Sequence, residues 1–483
     1  MKKVISLVLA LLAIIGILAL SGCNNGDGGE KNDGSDTKSG VKGSVRLAVP
    51  NWNIVEIQSL VEAFNEVYPD VDVEFDGFDG SPSEYLAAHA VAGDMPDVLW
   101  GDWGNIPSSV AEGWLYPLDG FLDKDDEKQY IPTTLLEDYT YNGKVYAIPN
   151  EIHFYGIVVN KDLVKSLNMD MPKNNWSVDD YQSMLRKAAT DKTSGTENLF
   201  LLDEFLCGVY NKDIGINTYN KKTQSFSFAQ NYVKAVNVFK ELRAVTNLEA
   251  WSLRGQNATE TENDYTKRFN IDKTTADSDG VAAFKTGKVL TSIMGTFDTS
   301  WLRYMTFDWD ILPLPQADQG ARLPLTANAS YMISTCENPE AAYKLLKWIS
   351  FGSEGNLVKL DYYEKKNAED LTSGYLYFFP VTSHPDVAAK FPNNKNIPDG
   401  CLFMYENLNN SFRQDLAKIL PGYQTIAQDY VGPKCNEIRS NAADAAAVTA
   451  ELDSKVNTQI KSSWNDFNDE LSVIQEEFDE AHK

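Results

Sequence analysis

Histidine is scarce in this sequence. His89, His153, His384 and His482 are the whole complement, and none stands in HExxH or paired-ligand spacing, so a zinc centre is not indicated. Cysteine is nearly as rare. Cys207, Cys336, Cys401 and Cys435 lie far apart with no CxxC pair; two disulfides and buried free thiols both fit them, and no pairing is legible. Positive charge is short as well: 43 Lys and Arg against 69 Asp and Glu give −26 at pH 7. That balance repels phosphate backbones, which excludes nucleic acid as a partner and disfavours anionic lipid surfaces. There is no GxSxG elbow, and Gly287-Lys288 lacks the earlier glycine of a phosphate loop. The acidic runs at 123–128 and 277–280 lack the twelve-residue calcium-loop pattern and read as solvated loops. No metal, nucleotide or redox cofactor is expected. Beyond residue 20 no run is long and apolar enough to span a bilayer.

What is present begins at the amino end. Lys2 and Lys3 precede an almost unbroken apolar run from Val4 to Leu20, a charged n-region followed by an h-region. Leu20-Ser21-Gly22-Cys23 resembles the bacterial lipobox, in which the peptide is cut before the cysteine and the cysteine is acylated. Several acyl chains on one residue hold it to a bilayer, at about 0.8 kcal/mol per buried methylene. Residues 1–22 are therefore expected to be a lipoprotein signal peptide, Cys23 the lipidation site, and 23–43 a flexible, solvated leash.

Roughly 440 residues follow the leash, too many for a single core. With 43% hydrophobic and 11% aromatic residues they describe a globular body. Gly43 to Pro50 reads as a buried strand. Ile54, Ile57, Val61, Phe64 and Tyr68 then recur at helical steps, and Pro69 ends the helix. Val71, Val73 and Phe75 return to period two, and "MPDVLWGD" and "KVYAIPNEI" are further strands. Strand–helix–strand order of this kind predicts an α/β fold, with ligands at the carboxyl ends of the strands. Downstream, Ser177 and Asp180 form a capping box with a Trp176–Tyr181 staple. Asn338-Pro339 reads as an N-cap before a helix that buries Ala342, Leu345, Leu346 and Ile349. Helical spacing from Val448 to Phe478 predicts two helices.

Tryptophan and other aromatic residues gather near the predicted strand ends. Asn51-Trp52 follows the first strand, Trp100 and Trp103 bracket Asp102, and Phe297, Asp298 and Trp301 follow "VLTSIMG". Flat rings beside carboxylates and amides suit sugars, whose apolar ring faces stack while their hydroxyls need polar partners. Core packing is the alternative for any one of these rings.

Taken in order, "LVEAFNEVYPDVDVEF", "MPDVLWGDWGNIPSSVAEGWLYPLD", "NGKVYAIPNEIHFYGIVVNKDLV", "NNWSVDDYQSML", "AAFKTGKVLTSIMGTFDTSW", "WDILPLP" and "ASYMISTCENPEAAYKLLKWIS" resemble the extracellular solute-binding proteins of bacterial ABC importers, the family that includes maltose-binding protein. The resemblance runs along nearly the whole chain after the leash. It implies a type II periplasmic-binding-protein-like α/β fold of two lobes joined by hinge crossings. Lobe 1 would comprise 44–152 and 327–360, lobe 2 would comprise 153–326 and 361–464, and 465–483 would be an added helix on lobe 2. By position it implies ligand contacts at Asn51, Trp52, Trp100, Asp102, Trp103, Glu151, His153, Phe297, Asp298, Trp301, Asn328 and Tyr423.

The function so implied is capture of an oligosaccharide by hinge closure and its delivery to the transmembrane subunits of an ABC permease, by a monomer moored at Cys23 outside the cytoplasm. The same fold would serve an amine, a peptide or an organophosphate. Two other classes are compatible with the aromatic and acidic residues. A surface-anchored glycoside hydrolase would need facing carboxylates about 5–9.5 Å apart, and a non-catalytic adhesin would need a flat, exposed platform.

Overall fold

A computed structural model of the chain describes residues 40–199, 201–246, 267, 269–272, 281–317, 320–368, 378–393 and 397–481. Cys23, the signal segment, most of the leash, the acidic run at 277–280 and His482 lie outside the described residues.

Eleven strands are described: β1 (Gly43–Pro50), β2 (Val71–Phe78), β3 (Val98–Asp102), β4 (Thr140–Tyr141), β5 (Lys144–Val145), β6 (Ile148–Asn160), β7 (Ser194–Thr196), β8 (Val289–Gly295), β9 (Trp309–Pro313), β10 (Leu323–Met332) and β11 (Ser411–Arg413). Nine of them form one mixed sheet in the order β2-β1-β3-β10-β6-β8-β7, with β11 on β10 and β9 on β6. The expected crossover units are the parallel pairs β1/β2 and β1/β3. The strands between the two lobes run antiparallel instead. The first half of β6, Ile148 to Phe154, pairs with β10, and the second half, Tyr155 to Asn160, pairs with β8 and β9. One 13-residue strand therefore belongs to both lobes. Asn160 ends it and caps the next helix, its Oδ1 accepting from Leu163 N–H at 2.9 Å.

The apolar interior divides by sheet face. Val45, Leu47, Val49, Trp100, Ile152 and Phe154 belong to one core, and Leu99, Ile157, Val159 and Tyr331 to the other. Period-two alternation produces this division. The helix Ile54–Val67 buries Ile57, Val61 and Phe64, as its spacing predicts, and Leu60 beside them. The Ser177–Asp180 capping box is present, with Trp176 and Tyr181 at 5.1 Å. Asn338 differs from expectation: its amide donates to Ser44 C=O at 3.1 Å and does not cap the helix Pro339–Ile349. Cys207, Cys401 and Cys435 are buried thiols, Cys336 is half-buried, and none of the four is joined in a disulfide.

Two expected boundaries move. The proposed end of the first-lobe segment at residue 360 falls inside the helix Ser353–Ala368. Beyond it, Tyr363 Oη donates to Glu56 at 2.8 Å and Ser383 N–H to Tyr130 C=O at 2.8 Å, so the chain stays on the first lobe past that point. The carboxyl end is one helix, Ala445–Ala481, and not two. It has no Gly or Pro to break it, and 37 residues extend about 55 Å. Its early part binds the second lobe: Asp453 accepts from Ala229 N–H at 3.0 Å and Asn457 pairs with the Phe226 backbone at 2.7 and 2.9 Å. Its late part binds the β4–β5 hairpin and its flanks, not the second lobe as expected. Gln475 contacts Asn142 at 2.7 Å and Tyr146 at 2.9 Å, Asp479 pairs with Lys144 at 2.9 Å, and Phe478 meets Tyr116 edge-on.

Candidate ligand-binding cleft

The first wall grows from the carboxyl ends of β1 and β3. Pro50 ends β1 and the chain turns through Asn51–Asn53. Asn51 Oδ1 lies where a Cβ on Gly77 would approach to 2.3 Å, so the absent side chain lets the turn sit against β2. Trp52 projects from this turn and is 62% exposed, a state few of the described large apolar side chains share. Its ring lies 5.0 Å from Trp103, which stacks on Phe78 at 6.3 Å, which stacks on Tyr85 at 4.7 Å. Trp52 is the outermost ring of this ladder and is largely exposed. Asp102, the last residue of β3, is 1% exposed. Its Oδ2 accepts from Tyr331 Oη at 2.6 Å and its Oδ1 from Gly104 N–H. Burial raises its pKa, against the pull of those hydrogen bonds and of the Lys418 charge.

The floor is built on the two crossing strands. Glu151 and His153, two apart on β6, share a face, and Glu151 faces Asn328 on β10. Asn328 Nδ2 donates to Glu151 Oε2 at 2.8 Å, and Glu151 Oε1 lies 3.5 Å from His153 Nε2. Burial alone would raise Glu151, but hydrogen bonding and charge from His153, then Lys359 and Asn328, outweigh it and hold the carboxyl at about 2. Lys418 Nζ donates to Asn328 Oδ1 at 2.9 Å and to Thr326 Oγ1 at 3.1 Å, and pairs with Asp415 at 3.1 Å. Arg413 Nε donates to the other Asp415 oxygen at 2.6 Å. Against the desolvation that opposes it, the Arg413 and Lys418 charges keep Asp415 far below the usual carboxylate range. These ion pairs tie the segment after β11 to the hinge.

The second wall is the turn after β8. Phe297 stands edge-on to His153 at 5.5 Å and to Tyr155 at 5.7 Å, and Tyr155 leans on Phe205 at 5.4 Å. Asp298 shapes this turn, accepting from Gly295 N–H at 3.0 Å and from Trp301 Nε1 at 2.9 Å. Burial raises its pKa against those bonds.

Of the twelve sequence-derived positions, the structure gathers Asp102, Trp103, Asn51 and Trp52 on the first wall, Glu151, His153 and Asn328 on the floor, and Phe297 and Asp298 on the second wall. Three do not join them. Trp100 is 1% exposed in the opposite core: two before Asp102 on a regular strand it would share that face, but β3 bulges between Leu99 and Asp102 and turns it away. Trp301 packs against that same core beneath Lys285, whose Nζ lies 4.6 Å over the ring. Tyr423 is buried, stacked on Phe226 at 5.3 Å with its hydroxyl accepting from Asn217 at 3.2 Å. Tyr155 and Lys418 were missed. Period two from Glu151 and His153 would have included Tyr155; nothing in the local sequence marks Lys418. A cavity of ≈ 680 Å³ lined by Asp138, Lys212, Tyr219, Arg322, Phe412 and Arg413 meets the ion pairs of Asp415 at Arg413 and lacks the ring ladder.

The family described as bacterial extracellular solute-binding protein matches residues 51–350. Among solved structures, the chain is similar to a cyclic α-maltosyl-1,6-maltose binding protein of Arthrobacter globiformis, with 15% identity over 87% of this chain and 100% of that one and a TM-score of 0.63. It is similar also to an ABC substrate-binding protein of Listeria monocytogenes in complex with cycloalternan, with 15% identity over 87% and 99% and a TM-score of 0.61. The sugar-binding protein of Xanthomonas citri shares 14% identity over 87% and 98%, with a TM-score of 0.60. Identities this low carry the two-lobed fold and leave the ligand open.

Proposed function

Because the chain belongs to the bacterial extracellular solute-binding proteins, we propose that it captures a carbohydrate between its lobes by hinge closure and hands it, chemically unchanged, to an ABC permease. The observation that carries this reading is the meeting of stacking rings with hydrogen-bonding groups on the crossing strands. Trp52 offers an exposed ring face on one wall and Phe297 an aromatic edge on the other. Glu151, His153 and Asn328 lie between them. Stacking supplies apolar area, and the floor supplies partners for hydroxyls. Of the solved proteins with this fold, one is in complex with cycloalternan and another is a cyclic α-maltosyl-1,6-maltose binding protein, which supports an oligosaccharide as the solute.

The lobes share two antiparallel strands, so a rotation about β6 and β10 brings the walls together without breaking either sheet. The ligand favours the closed arrangement to the extent that it contacts both walls. The pKa of Glu151 is held low beside His153 and Asn328, and both Asp102 oxygens are bonded within the protein, which supports binding over acid–base hydrolysis. Cys23, acylated after cleavage of residues 1–22, would tether the receptor to the outer face of the cytoplasmic membrane through the leash to residue 43.

Titration calorimetry with maltotriose, a cyclic α-glucan tetrasaccharide and xylotriose tests the ligand class. Binding of at least one, with no release of reducing sugar, is the expected result. Binding of an amine or peptide and of no glycan would overturn the class, and release of reducing sugar would overturn the absence of chemistry.

A further inference from the structure

Strand β6 carries one residue more than β10 opposite it. Asn328 pairs with Glu151 but Ala329 pairs with Pro149, so Asn150 is the inserted residue of a β-bulge. Strand β3 bulges at the same level on the other side of β10: Ala329 pairs with Asp102 and Tyr331 with Leu99, leaving Trp100 and Gly101 against Ser330. A bulge re-aims the side chain it inserts. Gly101 has φ of 75°, and a Cβ built on it would lie 3.9 Å from Asn150 Nδ2. The Asn150 carboxamide thus reaches over β10 toward the Gly101 backbone, next to Glu151 in its own strand and to Asp102 across the sheet.

That carboxamide is 2% exposed, and neither Nδ2 nor Oδ1 has a hydrogen-bond partner. A buried amide with both ends unpaired lowers stability, so the fold gives no reason for asparagine here. Glu151 and His153, each 6% exposed, are covered in the same way. Under the hinge reading above, a ligand would enter with the lobes parted, and that opening would uncover the floor.

We propose that Asn150 is a ligand-binding residue of the cleft, its Nδ2 donating to one hydroxyl of a pyranose and its Oδ1 accepting from the adjacent one. A primary amide presents donor and acceptor side by side, and a vicinal diol presents the complement. The assignment rests on the carbohydrate reading above. The rival occupant is an ordered water, which a polar buried site of this kind also holds.

The test compares wild type, Asn150→Ala and Asn150→Leu as full chains, by thermal unfolding without ligand and by calorimetric titration with the three glycans named above. Removing an unpaired amide leaves the melting temperature unchanged or raises it. For the glycan that wild type binds, both variants bind about tenfold more weakly or worse, as the loss of two ligand hydrogen bonds requires. Asn150→Leu keeps the bulge filled should the alanine variant fold poorly. Unchanged affinity in a variant identifies water as the occupant and overturns this assignment alone. A melting temperature lowered in both variants makes Asn150 structural and overturns it too. A wild type that binds none of the glycans overturns the carbohydrate reading and the assignment with it.

Discussion

Three tryptophans within one stretch of the first lobe meet three different environments. Trp52 is 62% exposed, Trp103 is half-buried in the ring ladder, and Trp100 is 1% exposed in the opposite core. Trp52→Ala is expected to weaken glycan binding by about 2- to 10-fold, the range of one aromatic stacking contact, with an unchanged melting temperature. Trp100→Ala is expected to lower unfolding free energy by about 3–5 kcal/mol in urea titration, while the protein that remains folded binds normally. A reversed pattern would exchange their roles. Glu151 gives a pH test. Its folded value of about 2 lies below its ordinary 4.5, so the stability it contributes is complete above about 4.5 and is lost as pH falls through 2. Wild type should therefore lose stability between pH 4.5 and 2 more steeply than Glu151→Gln; parallel profiles would refute the pairing. Residue types at strand ends point to both walls, and only position in the family points to the floor. They did not separate Trp100 from Trp103, because a bulge in β3 breaks the alternation that would tell the faces apart, and a bulge is set by the neighbouring strand.

Elements with strong local signals were legible. β1, the helix after it, β2 and the capped helix from Val178 occupy the stretches their patterns mark, because burial of one face and local capping are encoded within a few residues. Signals that arrive from far along the chain were not. Asp453 accepts from the Phe228 and Ala229 N–H groups, capping the helix Phe228–Val245 from 225 residues away, while Ser227 makes no side-chain cap. Asp453→Ala is expected to cost about 1–2 kcal/mol in chemical denaturation, the effect of an ordinary lost N-cap. The helix Ala445–Ala481 depends on tertiary contacts of the same kind. Leu471 is fully buried near its end, and Leu471→Ala is expected to cost about 2–5 kcal/mol. A loss below 1 kcal/mol would mean that the end of this helix is not docked.

At the scale of the molecule, the order of strands and helices indicates the α/β class, since alternation of β and α implies layered packing; length indicates more than one core, and the two hinged lobes follow from the family resemblance. The route between the lobes was harder to place. Residue 360 has no break in helical character, and the ion pairs Arg413–Asp415 and Lys418–Asp415 that bind the late segment to β10 join residues with no shared local pattern. The account depends on β6 and β10 acting as a hinge beneath a ring-lined cleft. Small-angle X-ray scattering of the full chain with and without a saturating glycan from the calorimetric panel tests that dependence most directly. The account predicts a smaller radius of gyration with the glycan bound; an unchanged radius at demonstrated saturation would contradict it.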